Sequence, residues 1–213
     1  MGPKERRTRA REETKTKILN AAREMFVQDG VDSVTMRAIA KRIEYTPTAI
    51  YHHFRDKQAL IEELCLLDFR SLAQAFQRIG RIEDPREQLR RIGLAYVDYA
   101  LEHPSHYRFM FMTPKPSMPE SSFGFSDNAP ETHAYLVLRD TVAKGIAAGG
   151  FRDEFTDAEE LAQILWAGVH GIVSLHIVKA GEGDHIDWRD PRETARTMVD
   201  VLMRGTMKQP AQG

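Results

Sequence analysis

The sequence predicts an all-α protein with a small N-terminal domain of three helices followed by a larger helical domain. Apolar residues recur at helical spacing in most stretches of the 213-residue chain. Thr-Pro at 46–47 and Asp-Pro at 84–85 and 190–191 each precede such a stretch, and a capping residue followed by proline is a typical helix start. Gly30 and Gly149 end two of the stretches.

Composition indicates a soluble globular protein. Hydrophobic residues make up 42% and charged residues 29% of the chain, which is ordinary for this class. No apolar run approaches the roughly 18 residues that span a bilayer, and the basic N-terminus lacks the apolar region of a secretory signal. The single cysteine, Cys65, excludes an internal disulfide framework and lies among leucines, as a buried inert thiol would. We therefore expect a cytoplasmic protein without a membrane partner.

Positive charge is concentrated in the first third of the chain. Residues 1–60 contain 13 Lys and Arg against 8 Asp and Glu, whereas the remaining residues contain 17 against 23. The net charge of −1 therefore hides a basic N-terminal part and an acidic remainder. This asymmetry indicates that only the N-terminal part contacts a polyanion such as nucleic acid.

Residues 35–57 read as two short helices joined by a tight turn. The first helix carries one apolar stripe, formed by Met36, Ile39, Ala40 and Ile43. Thr46 can cap the second helix, whose Ile50 and Phe54 point back onto the first. The opposite side of the second helix carries Thr48, Tyr51, His52 and Arg55. A short helix with an apolar back and a polar, aromatic front fits the DNA major groove, which is about 12 Å wide.

This stretch resembles the helix-turn-helix signature of the tetracycline-repressor (TetR) family of bacterial transcription regulators, over about residues 14–60. The matching positions are Thr35-Met36-Arg37, Ile39-Ala40, Thr46-Pro47, Ile50-Tyr51, Phe54 and Lys57. The chain departs from the family pattern at Glu44, where members usually carry glycine in the turn. Glycine suits that position because the backbone there often needs positive φ. We therefore expect a turn that is either strained by roughly 1–2 kcal/mol or differently shaped.

The resemblance implies a homodimer that binds a palindromic DNA operator as a repressor and leaves it when a small molecule binds. It implies phosphate contacts from Thr35, Arg37, Tyr51 and Lys57. The front of the second helix supplies the candidates for contacts to base edges, namely Thr46, Pro47, Thr48, Tyr51 and His52. A DNA-organising protein that binds no ligand is the alternative that shares this N-terminal part.

Three segments follow from this interpretation. They are a flexible basic arm at residues 1–13, a helix-turn-helix domain at 14–60, and a ligand-binding and dimerisation domain at 61–213. The arm has too few apolar residues to build a core, and its basic residues are Lys4, Arg6, Arg7, Arg9 and Arg11. Two interpretations of the arm stay open: a solvated tail, or a segment that contacts phosphates or enters the minor groove.

The other helices follow from their caps and apolar stripes. We expect them at about residues 14–29, 56–79, 84–102, 105–112, 131–148 and 157–178, and from 190 onwards. The helix capped by Asp56 links the N-terminal unit to the rest of the chain. The proline-rich loop at 113–130 is long enough to act as a lid. In the family that the chain resembles, the last two long helices form a four-helix bundle with their copies in a second subunit, and the apolar late helices here are compatible with that role.

The short helix near residues 106–112 is rich in aromatic residues and methionine, and it has two interpretations. It is either ordinary core or part of a cavity for an apolar ligand. The second interpretation predicts a site formed by Tyr96, Phe109, Met110, Trp166 and His170. The segment from Trp166 to Gly171 also resembles the Trp-His-Gly C-terminal domain of one branch of the family. The sequence shows no metal-ligand cluster, phosphate-binding loop or nucleophile elbow, so we expect neither an enzyme nor a cofactor.

Overall fold

The computed structural model describes residues 2–117, 133–180 and 186–208. Within these ranges the chain is helical without a named strand, which confirms the predicted all-α class. The helices are α1 (Pro3–Asp29), α2 (Met36–Arg42), α3 (Pro47–Tyr51), α4 (Lys57–Gln77), α5 (Pro85–Glu102), α6 (Pro104–Tyr107), α7 (Ala134–Ala147), α8 (Ala158–Lys179) and α9 (Pro191–Thr206). A π-helical turn, Arg108–Met112, continues α6. Most of the predicted lid, from residue 118 onwards, lies outside the described residues.

The chain divides into two compact units, and their bounds differ from the predicted domains. The first unit comprises residues 1–69 and 105–124, and the second comprises 70–104 and 125–213. The helix-turn-helix region therefore includes the first part of α4 and a segment from the middle of the chain. The physical reason is burial: Phe109 is fully buried in the core of the first unit.

Helices α1 to α4 and the π-helical turn surround the core of the first unit. Its fully buried side chains include Ile18, Phe26, Ile39 and Leu60. Phe109 stacks against Phe26 with ring centroids 6.0 Å apart. Cys65 is also fully buried, and burial raises the pKa of its thiol to about 11. This agrees with the interpretation of an inert cysteine.

Helix α1 begins eleven residues earlier than the sequence predicted, at Pro3 instead of Thr14. The predicted flexible arm is therefore helical in the structure. Pro3 occupies the first helical position, and the Glu5 carboxylate accepts a hydrogen bond from the Gly2 amide at 2.8 Å. Arg9 and Glu13 form an (i, i+4) ion pair of 2.8 Å on the exposed surface. These local interactions favour a helix even where no core is available.

In the second unit, α5, α7, α8 and α9 pack against one another. Val97, Val142, Leu161 and Val173 are among the buried side chains of this bundle. Helices α8 and α9 approach closely at Gly168, where an added Cβ would lie 2.6 Å from Leu202 Cδ1. A Cβ at Gly168 would require the Leu202 side chain to move, so glycine lets this side chain of α9 lie against the α8 backbone, at a cost of about 1 kcal/mol for a glycine within a helix.

Helix α8 is the one described helix that is long and apolar enough to cross a bilayer by length and composition. Only 28% of its most apolar stretch is buried within the chain. The helix packs on α9, α5 and α7, as a helix of a bundle does. Much of the apolar surface of α8 is therefore not covered by the described part of the chain, which indicates that it contacts another molecule.

Candidate nucleic-acid interface

Helices α2 and α3 each begin at a threonine cap, as the sequence predicted for the second of them. The Thr35 hydroxyl accepts a hydrogen bond from the Ala38 amide at 3.1 Å, and the Thr46 hydroxyl accepts one from the Ala49 amide at 3.3 Å. Each cap satisfies a backbone donor that has no partner within its helix. The two threonines thus fix where both short helices start.

The turn between α2 and α3 closes as a Schellman motif. The Tyr45 amide donates to the Ala40 carbonyl at 2.9 Å, and the Glu44 amide donates to the Lys41 carbonyl at 3.2 Å. This pattern requires a left-handed residue at position 44, and Glu44 has φ 61°, the one positive φ among the described non-glycine residues. Of the two expectations for this turn, the structure therefore shows the strained one.

Replacing Glu44 by glycine is expected to raise the free energy of unfolding by about 1 kcal/mol, because glycine adopts positive φ without the steric cost. For a chain of this size the midpoint of thermal unfolding should rise by about 2–4 °C. Glu24→Gly, at an exposed site inside α1, is the matched control and should lower the stability by a similar amount. A decrease for Glu44→Gly would show that the turn relaxes to another conformation.

The exposed side of α3 carries most of the predicted DNA contacts. Ile50 and Phe54 are buried behind the helix, whereas Tyr51 is 52% exposed. The structure also exposes the side chains of Thr35, Arg37, Thr46, Pro47, Thr48 and His52. Two threonine caps, two aromatic rings and a guanidinium group can therefore reach phosphates and base edges without rearrangement of the fold.

Lys57 differs from this group. The resemblance implied a phosphate contact, but the side chain is half-buried and its Nζ donates to the carbonyls of Val31 and Val34, at 2.9 and 3.1 Å. These bonds close the loop between α1 and α2. An ammonium group has three N–H donors, so one donor remains for a phosphate. In this structure Lys57 positions the loop before α2.

His53 was absent from the sequence prediction, yet it lies beside the exposed end of α3. The side chain is half-buried, and desolvation lowers its pKa, with further lowering by the charges of Arg11 and Lys15. Arg11 and Lys15 belong to α1, so the first turns of α1 and the end of α3 share one region of positive potential. Sequence spacing could not show this because 38 residues separate His53 from Lys15 along the chain.

A buried ion pair supports the interface from behind. The Arg23 guanidinium donates to both carboxylate oxygens of Asp68, at 2.9 and 2.7 Å, and both side chains are almost fully buried. Asn20 accepts a third hydrogen bond from Arg23, at 2.9 Å. His106 Nδ1 lies 3.1 Å from the same carboxylate. The network therefore joins α1, α4 and α6.

The five predicted ligand-site residues do not all belong to one unit. Phe109 and Met110 are buried residues of the first unit, which agrees with the core interpretation of this segment. In the second unit the Tyr96 hydroxyl lies 2.8 Å from His170 Nδ1, and Trp166 contacts the His170 ring edge-on at 5.6 Å between centroids. Burial lowers the pKa of His170, so its imidazole is neutral at pH 7.

A cavity of about 310 Å³ is present in the second unit, at a different place from the Tyr96–His170 pair. Its lining is charged and consists of Asp84, Arg86, Glu87, Arg90, Asp200, Met203 and Arg204. Three arginines face three acids there, and Arg90 pairs with Asp200 at 2.9 Å. A lining with equal numbers of positive and negative side chains does not favour binding of the apolar ligand that the sequence suggested. Among the described residues, no three His, Cys, Asp or Glu side chains are placed to hold a metal ion.

Comparisons with known proteins agree with the class of protein that these features define, a helix-turn-helix DNA-binding protein. The family model described as "Bacterial regulatory proteins, tetR family" matches residues 18–64. A second model, "Tetracyclin repressor-like, C-terminal domain", matches residues 89–202 and thus more than half of the chain. The chain belongs to the TetR family of bacterial transcriptional regulators. Its helix-turn-helix region is therefore of the kind found in transcriptional regulators.

Individual relatives of the chain are transcriptional regulators too. The chain is 39% identical over 89 residues to the HTH-type transcriptional regulator UidR of Escherichia coli K12, which covers 42% of this chain and 40% of UidR. It thus spans less than half the length of the first curated relatives that it matches. An HTH-type transcriptional regulator of Mycobacterium tuberculosis H37Rv is 24% identical over 201 residues, covering 81% of this chain and 84% of that protein.

Solved structures share the fold over nearly the whole chain. A TetR family regulator from Marinobacter aquaeolei VT8 has a TM-score of 0.73 at 19% identity, covering 94% of this chain and 100% of that one. PfmR from Thermus thermophilus, also a TetR family regulator, has a TM-score of 0.67 at 22% identity, with 88% and 97% covered. The likeness of residues 166–171 to the Trp-His-Gly branch of the family stays a prediction.

Proposed function

We propose that the protein is a homodimeric repressor that binds a palindromic operator and is released by a small molecule bound in the second unit. The exposed front of α3, held by the Thr46 cap and an apolar back, carries this proposal. Thr46, Pro47, Thr48, Tyr51 and His52 contact base edges, and Thr35 and Arg37 position the helix on phosphates. Two such helices, about one DNA turn apart in a dimer, read the two half-sites of a palindrome.

The uncovered apolar face of α8 and α9 supports dimerisation. Ile164, Gly171 and Leu175 lie on one side of α8, and Leu175 is 54% exposed. A Cβ added at Gly171 would meet no atom of the same chain within 4 Å, in contrast to Gly168. On α9, Val201 is 56% exposed. Large apolar side chains around an open glycine allow a second copy of the helix to pack closely.

Replacing Leu175 by arginine is expected to convert the dimer to a monomer at micromolar concentration, because the charge would be buried without a partner in the interface. Light scattering measures the mass, and operator affinity should fall at least tenfold as the second half-site contact is lost. Gln163→Arg, on an exposed part of α8 about 120° away from Leu175, is the control and should remain dimeric. A Leu175→Arg protein that stays dimeric with unchanged affinity would place the interface elsewhere.

The small molecule is proposed to bind near Tyr96, Trp166 and His170. The neutral imidazole and the phenol offer hydrogen bonds inside an aromatic surrounding that also contains Tyr135, whose ring lies 6.1 Å from Trp166. Such a site fits a ligand with a large apolar surface and a hydroxyl or carbonyl group. Ligand binding favours a spacing of the two α3 helices that no longer matches adjacent major grooves. A coupling free energy of about 1–3 kcal/mol is typical of such control.

Operator selection from random duplex DNA tests the whole proposal. The wild-type dimer should enrich a palindromic sequence, and the selected duplex should shift in a gel at low salt. Metabolite fractions are then screened for release of the complex. Failure to enrich any sequence would overturn the repressor proposal, whereas enrichment without release by any fraction would favour a DNA-organising protein that binds no ligand.

A further inference from the structure

The first four turns of α1 carry their net charge unevenly around the helix. At 100° per residue, Lys4, Arg7, Arg11 and Lys15 lie on one side, which we call the inner basic face. Further along α1, the same side carries the buried residues Ile18 and Ala22. Towards the N-terminus, beyond the edge of the core, this side of α1 therefore changes from apolar to basic.

The acids of this segment lie away from the inner basic face. Glu5, Glu12 and Glu13 project from other sides of the helix, and Glu13 pairs with Arg9 at 2.8 Å on the outer surface. Among the described residues, the ion pairs of this segment engage Arg9 and Lys15, whereas none engages Lys4, Arg7 or Arg11. The inner basic face therefore carries positive charge alone, whereas the other sides of the helix carry both signs, because Arg6, Arg9 and Lys17 lie there with the three acids.

The inner basic face lies next to the C-terminal end of α3. Lys15 pairs with Glu63 at 2.7 Å, and its Nζ lies 5.9 Å from the centroid of the Phe54 ring, just after α3. Besides desolvation, the charges of Arg11 and Lys15 lower the pKa of His53, which indicates that both are close to the end of the candidate recognition helix. Residues 3–14 extend about 18 Å from this point at 1.5 Å per residue.

We propose that the inner basic face binds the phosphates of duplex DNA flanking the half-site that α3 reads. This inference rests on the proposed operator binding and adds a second DNA-contacting surface to it. Lys4 and Arg11 are two helical turns apart, about 10.5 Å, a distance that spans successive phosphates of one strand. The contacts are independent of base sequence and make binding more dependent on salt concentration.

A pair of matched triple variants tests the proposal. Lys4→Gln, Arg7→Gln and Arg11→Gln together remove three charges from the inner basic face. Arg6→Gln, Arg9→Gln and Lys17→Gln together remove three from the opposite side, so the change in net charge is identical. Binding to the selected operator, extended by ten base pairs on each side, is measured over a series of KCl concentrations. Circular dichroism checks that both variants keep their helix content, as glutamine favours helix.

The inner variant should reduce the slope of log affinity against log salt by about 2–3, since each phosphate contact contributes about 0.9. The outer variant should change the slope by less than about 1. On a duplex trimmed to the two half-sites, the inner variant and the wild type should bind almost equally. Equal losses of affinity for both triple variants would mean that the segment attracts DNA only through its overall charge, which would overturn the proposal. A loss of affinity by the inner variant that persists on the trimmed duplex would overturn it too. A wild type that binds no selected DNA would instead refute the operator proposal itself.

Discussion

Replacing Asp68 by asparagine should lower the free energy of unfolding of the first unit by about 3 kcal/mol or more, because it leaves the Arg23 guanidinium buried without a counter-charge. Arg23 is 5% exposed and Asp68 is 1% exposed, so water cannot replace the lost partner. Urea unfolding followed by circular dichroism measures the loss. Operator affinity should fall in parallel, since α1 and α4 hold the helix-turn-helix between them.

Two further variants separate the buried charge from a general effect of substitution. Glu13→Gln breaks the exposed Arg9–Glu13 pair and should cost less than about 1 kcal/mol. Combining Arg23→Met with Asp68→Leu removes both charges and should recover most of the stability lost in Asp68→Asn. If Asp68→Asn were as stable as the wild type, Arg23 would have to reach water or another acceptor, and the network would not brace the unit.

The Arg23–Asp68–His106 network also restricts the position of α6. It connects a helix of the helix-turn-helix unit to α6, a segment that follows the second unit's α5 in sequence. A bidentate pair in a dry environment has a narrow range of acceptable geometries. Any displacement of α6 that breaks it would therefore be resisted by α1 and α4.

Local signals in the sequence predicted the geometry of the short helix α3 and of the turn before it. Thr46 followed by proline fixed the start of α3, and the apolar spacing of Ile50 and Phe54 predicted which side is buried. Glu44, at a position where glycine is usual, predicted a turn that is either strained or differently shaped, and its φ of 61° shows the strained form. Each of these features depends on neighbours within four or five positions, which a single sequence displays directly.

Features that depend on distant partners were missed. Nothing local distinguishes Lys57, which bonds to the carbonyls of Val31 and Val34, from a lysine that faces a phosphate. The Arg23–Asp68 pair joins positions 45 residues apart. The arm was predicted to be flexible because it lacks core residues, but local capping and an (i, i+4) ion pair suffice for a helix there. Periodicity shows which side of a helix is apolar without showing what covers it.

The environment of Phe109 also depends on partners that are distant in the sequence. Replacing Phe109 by alanine is the second variant with a large expected effect. Its ring is fully buried in the core of the first unit, against Phe26, although at least 50 residues separate it from the helix-turn-helix. Phe109→Ala should cost about 3–5 kcal/mol in the free energy of unfolding, because a cavity remains between α1 and the π-helical turn. Urea unfolding measures the loss, and operator affinity should fall with it.

The matched variant Phe109→Leu keeps most of the apolar volume and should cost less than about 1.5 kcal/mol. A ligand-site role for Phe109 predicts the opposite pattern, in which Phe109→Ala leaves unfolding and operator binding intact and changes only the response to the small molecule. A core role predicts that both stability and operator binding decline in the order wild type, leucine, alanine. The segment 105–117 would then complete the DNA-binding unit, since without it Phe26 loses its ring partner and the unit loses part of its core.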